Sequence, residues 1–129
     1  MGSHSLGRLY TDGEIIIKQG TEGDCLYVIQ EGKVAVIDES GGTETKVAEL
    51  GVKEFFGEMG LFEKDGRSAT VKALGDTKIL TIDKRNFYST IQKDPSLAFR
   101  LLESMSKRLR RTTKELGEIR SQKRAEVNE

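Results

Sequence analysis

From Glu14 to Asp83 the chain is cut into short, β-branched runs by glycine-bearing turns, and this punctuation limits its possible folds more than any other feature. Residues 14–19 hold Ile15, Ile16 and Ile17 in a row; residues 25–30 set Leu26 and Val28 against Tyr27 and Ile29. Residues 33–38 carry Val34, Val36 and Ile37, and residues 45–50 carry Val47, Ala48 and Leu50. Residues 68–74 and 78–83 complete the set. Between the runs stand Asp12-Gly13, residues 20–23, Glu31-Gly32, Ser40-Gly41-Gly42, Gly51 and Gly75-Asp76. Branched side chains fit a pleated, half-buried surface, and glycine supplies the turns between. The spacing predicts an antiparallel all-β unit, with an eight-stranded jelly roll (a double-stranded β-helix) as the expected closure.

After Asp83 the period changes. Residues 84–92 predict a short helix, with Phe87 and Ile91 one turn apart, and Asp94-Pro95 reads as an N-cap followed by proline in the first turn. From residue 96 to about 124 there is no proline, and Gly117 alone weakens the helix. Ala98, Leu102, Met105, Leu109, Thr112, Leu116 and Ile119 recur at alternating steps of four and three, the spacing of a coiled-coil seam. A second stripe, Leu97, Leu101 and Met105, is placed to cover the β unit. The expected fold is mainly β with C-terminal helices, a parallel homodimer forming through residues 98–119. Residues 1–5 read as a cloning scar, 6–93 as the β unit with the short helix, 94–124 as the long helix of the same domain, and 125–129 as a disordered tail.

The 129 residues suffice for one domain with its own core. With 36% apolar and 33% charged residues the composition is that of a soluble globular protein. No apolar run approaches the ~18 residues of a membrane span, and no segment reads as a secretory signal. Cys25 has no second cysteine to pair with, which suits a reducing cytoplasm. Net charge is zero, but residues 100–129 hold 9 basic against 5 acidic side chains, leaving the rest acidic. Such a helix is read as a solvated face, with an acidic partner or nucleic acid as the alternative.

The densest chemistry lies in residues 57–69, Gly-Glu-Met-Gly-Leu-Phe-Glu-Lys-Asp-Gly-Arg-Ser-Ala. A carboxylate, Glu58, can accept from sugar hydroxyls, and a guanidinium, Arg67, offers a planar fork of donors matched to a phosphate. Gly57 and Gly60 bracket a predicted helical turn whose N-terminal amides suit an anion. Together these groups suit a sugar joined to a phosphate. As alternatives, Glu58 is an ordinary helix-start acid and Arg67 a surface ion-pair partner of Glu63 or Asp65.

The same run closely resembles the phosphate-binding cassette of cyclic-nucleotide-binding domains, found in catabolite-activator-type regulators, protein kinase A regulatory subunits and cyclic-nucleotide-gated channels. Asp12-Gly13-Glu14, Gln19-Gly20, residues 24–29, Glu31-Gly32 and Asp94-Pro95 match the family's other landmarks in order. The resemblance implies that Arg67 pairs with the phosphate oxygens, aided by Ser68 and the Ala69 amide, and that Glu58 holds the ribose 2′-hydroxyl. Val36, Val47, Met59, Leu61 and Val71 are candidate walls for the base; Val36, Met59 and Val71 read first as core, while Val47 and Leu61 read equally as core or as wall. Thr112 falls where catabolite-activator-type proteins place a threonine that bonds the purine, and Thr113 matches the next hydroxyl, contributed to the other subunit's ligand. A threonine in a seam can instead set helix register.

The implied function is a cytoplasmic sensor module that binds a cyclic purine nucleotide and passes a change through its C-terminal helix to an effector. Similarity to the bacterial type favours cAMP; cGMP stays open, because a threonine hydroxyl both donates and accepts. A metal oxygenase on a similar β-roll would need a histidine cluster, and the chain has His4 alone. No Ser/His or Cys/His pair suggests nucleophilic catalysis, so neither enzyme activity nor a cofactor or metal is expected. DNA binding by this chain is not expected either, since a helix-turn-helix would begin where it stops, although a longer transcription regulator could carry one. A dimerisation module with a degenerate pocket is the remaining alternative, disfavoured by the intact Glu58, Arg67 and Ser68.

Overall fold

The computed structural model describes residues 7–58 and 69–128. The division into two compact units falls between Pro95 and Ser96, and each is described by itself.

The first unit is built from β1 (Arg8–Tyr10), β2 (Ile15–Ile17), β3 (Cys25–Asp38), β4 (Thr45–Leu50), β5 (Phe55–Phe56), β6 (Thr70–Asp83) and helix α1 (Lys84–Lys93). All the pairings are antiparallel. The sheet runs β1-β6-β3-β4, with β2 added on β6 and β5 on β3. Among the described residues there are thus six strands, where eight were expected.

Of the six runs located in the sequence, four join in pairs through two glycines, and the short strands β1 and β5 are added. Glu31-Gly32 and Gly75-Asp76 were read as turns, but β3 and β6 run straight through them for 14 residues each. Gly32 has φ 82° and Gly75 φ 74°, so each bends its strand without ending it. The β3–β6 register slips on either side of Glu31, which lets the ladder resume after the bend. A Cβ on Gly32 would stand 2.5 Å from the Asp76 carbonyl oxygen, so the two strands touch here backbone to backbone. The buried Thr77 hydroxyl lies 3.0 Å from the carbonyls of both Lys33 and Gly75 and satisfies the bend internally. Before the slip the register is regular, and Leu26, Val28 and Ile29 are all buried because both faces of this stretch are covered: Ile29 lies in the main core with Tyr27 packed against it, while Leu26 and Val28 are buried outside it.

Tyr10, Ile17, Ile29, Val34, Leu50, Phe56, Val71, Ala73 and Ile79 form the core. Strands β1 and β5 are short and were not expected. β5 holds because Phe55 and Phe56 are buried and pair with Val28 and Tyr27. Phe56 also stacks on Tyr27, with ring centroids 4.9 Å apart. Helix α1 begins where expected. The Asp83 carboxylate accepts from the Asn86 amide at 2.8 Å, so the last residue of β6, where the strand was expected to end, is also the N-cap of the helix.

The second unit is helix α2 (Ser96–Asn128), 33 residues and roughly 50 Å long at 1.5 Å per residue. It continues past residue 124, where a disordered tail was expected, because Ala125 and Glu126 favour helix and no proline or glycine stops it. Leu97 and Leu101 are buried, while Leu102, Leu109, Leu116 and Ile119 of the predicted seam are exposed. No helix among the described residues is long and apolar enough to cross a membrane.

Candidate functional site

Strand β3 is the platform on which both ends of the 57–69 segment are set. At one end β5 pairs with Tyr27 and Val28, locked by hydrogen bonds from Ile29 N to the Glu54 carbonyl (3.0 Å) and from Lys53 N to the Ile29 carbonyl (2.8 Å). Gly57 follows β5 directly with φ 78°, a conformation that strains any other residue. Glu58 comes next, in helical conformation and only 7% exposed. It is the one buried acidic side chain among the described residues. Removing a carboxylate from water is costly, so its placement just after a buried aromatic strand is a specific feature of the fold.

At the other end Ala69 is half-buried and leads into Thr70, the first residue of β6, which is fully buried opposite Ile37. Val71 is core, and Val36, one of the other candidate walls, is half-buried against that core. Val47 is 58% exposed on β4. It sits at a bulge: Val36 pairs with Ala48 and Ile37 with Lys46, so Val47 has no partner across the ladder. Met59, Leu61, Arg67 and Ser68 lie outside the described residues. Thr112 and Thr113 are both exposed on α2, in the second unit.

A polar cluster beside Thr70 was not expected from the sequence. The Gln19 amide donates to Thr70 Oγ1 at 2.9 Å. The Gln19 side chain spans the turn after β3: Oε1 accepts from the Glu39 amide at 2.7 Å, while Nε2 reaches Ser40 Oγ at 3.2 Å and Asp38 Oδ1 at 3.4 Å. Lys18 Nζ meets the Glu39 carboxylate at 2.7 Å. That lysine, and secondarily the Thr70 hydroxyl, hold the Glu39 carboxyl below its usual pKa. The Ser40 hydroxyl and amide, and secondarily Gln19, do the same for Asp38. The sequence showed Gln19 only as half of a Gln-Gly turn, and no local pattern announces a contact twenty residues away.

A family model for the cyclic nucleotide-binding domain matches residues 8–94. The chain belongs to this family. It is 37% identical over 110 residues to the cyclic AMP receptor protein of Thermus thermophilus, covering 84% of this chain and 51% of that protein. It is 34% identical over 122 residues to the cAMP-activated global transcriptional regulator Vfr of Pseudomonas aeruginosa, covering 91% and 57% respectively. The crystal structure of the Thermus thermophilus catabolite activator protein superposes with a TM-score of 0.74 at 35% identity, over 90% of this chain and 56% of that one. The chain thus spans about half the length of the curated relatives it matches.

Proposed function

We propose that this chain is the ligand-sensing domain of a regulatory protein and that its ligand is cAMP. Arg67, Ser68 and the Ala69 amide hold the cyclic phosphate, Glu58 accepts from the ribose 2′-hydroxyl, and Val47, Met59 and Leu61 face the base. Thr112 and Thr113 on α2 bond the purine in a parallel homodimer formed through residues 98–119, one to its own subunit's ligand and one to the other's. Ligand then favours one arrangement of the paired helices, and an effector reads that arrangement. The names of the two bacterial relatives support cAMP; the chemistry of Thr112 alone accommodates cGMP equally.

The observation that carries this reading is Glu58, an acid held out of water directly after a positive-φ glycine and a buried aromatic strand. A desolvated carboxylate accepting a ribose hydroxyl discriminates strongly against a sugar that lacks it. The test is the affinity for cAMP relative to 2′-deoxy-cAMP. The parent is expected to prefer the 2′-hydroxyl, and Glu58→Ala to narrow that preference. An unchanged ratio takes Glu58 out of the site.

A further inference from the structure

We infer that Gln19 and Glu39 form a clamp on Thr70 that positions the phosphate-binding arm and thereby sets affinity for the phosphate. This inference rests on the reading of residues 57–69 given above. Gln19 joins three segments distant in sequence: its backbone amide, just after β2, donates to the hydroxyl of Thr70 at the start of β6, and its side chain holds the turn after β3. A threonine hydroxyl has a single proton. Thr70 Oγ1 accepts from the Gln19 backbone amide at 2.9 Å, and the Thr70 hydroxyl contributes to holding the Glu39 carboxyl below its usual pKa. Glu39 is in turn held by Lys18 and by the Gln19 side chain.

A fully buried strand residue needs no hydroxyl for packing; valine has nearly the same shape, and Val71 next to it is core. Arg67 and Ser68 stand three and two positions before Thr70. Fixing Thr70 fixes the point at which the chain carrying them joins β6, and a preorganised binding site loses less entropy when the ligand arrives. Gln19 and Glu39 thus act on the phosphate through Thr70.

The experiment compares the parent, Thr70→Val and Thr70→Ser at a temperature where circular dichroism shows all three fully folded. Each is titrated with cAMP, with 2′-deoxy-cAMP and with the two phosphorothioate diastereomers of cAMP. Thr70→Val is expected to bind cAMP about tenfold more weakly, the effect of one hydrogen bond. Its discrimination between the phosphorothioates should narrow while its preference for the 2′-hydroxyl stays, since Glu58 is untouched. Thr70→Ser should keep both. A merely structural hydroxyl would lower the melting temperature and leave affinity and both ratios unchanged, which overturns the clamp while the ligand assignment stands. A parent that binds none of these ligands overturns the ligand assignment and the clamp with it. Should Thr70→Val fail to fold, Gln19→Ala, which keeps the backbone amide and releases the turn, is expected to narrow the phosphorothioate ratio, and an unchanged ratio there refutes the proposal.

Discussion

Leu109→Ala isolates the proposed dimer seam from the stability of the chain that forms it. Leu109 is 69% exposed in the single chain, so a partner helix can desolvate most of its side chain. Truncation to alanine removes three carbons, worth about 0.8 kcal/mol each when fully buried. Scaled by the area still open, the loss is roughly 1.7 kcal/mol per copy, and the change occurs on both copies. The dimer should therefore weaken by about 3 kcal/mol, or a factor of a few hundred in dissociation constant. Alanine is the best helix former, so α2 itself should not melt. Sedimentation equilibrium of parent and variant, with and without cAMP, reads the constant directly, and circular dichroism checks that helix content is unchanged. A parent that is a monomer at tens of micromolar in both conditions, or a Leu109→Ala variant that associates as tightly as the parent, rules out the seam.

Two further variants probe the fold and the coupling. Gly32→Ala should cost at least several kcal/mol or prevent folding, because the added Cβ meets the Asp76 carbonyl at 2.5 Å on a residue with φ 82°; chemical denaturation measures the loss, and a variant of parental stability would show that the two long strands do not approach as described. Thr112→Val keeps the side-chain shape, so it should retain or raise dimer stability without ligand, bind cAMP about tenfold more weakly, and reduce the ligand-induced amide-exchange protection across residues 105–119. Equal affinity with equal protection would make Thr112 a register residue only.

The order of elements was legible because branched runs, turn glycines and the change of period at Asp83 are all local signals. The strand count was not. Glycine in a strand reads as a turn unless the opposite strand is known, and Gly32 is excused from ending β3 only by the backbone of Asp76 and Thr77 lying against it. β1 and β5 escaped notice because strands of three and two residues carry no period, and β5 is held by a Tyr27–Phe56 stack across 29 positions of sequence. Glu58 could be singled out from spacing, though its burial could not. Gln19 could not, because its role depends on the turn after β3 folding back onto the end of β2. Likewise, the bulge at Val47 is a property of pairing with β3, not of the β4 sequence.

The most direct measurement of the central claim is calorimetric titration of the parent and of Arg67→Ala with cAMP and cGMP side by side. On the proposed assignment the Arg67 guanidinium makes charge-assisted bonds to the phosphate, each contributing about 1.5–3 kcal/mol. The parent is expected to bind saturably, tighter for cAMP, and Arg67→Ala to lose about a hundredfold or more in affinity with an unchanged circular dichroism spectrum. A parent that binds neither nucleotide, or an alanine variant that binds as tightly as the parent, would contradict the claim.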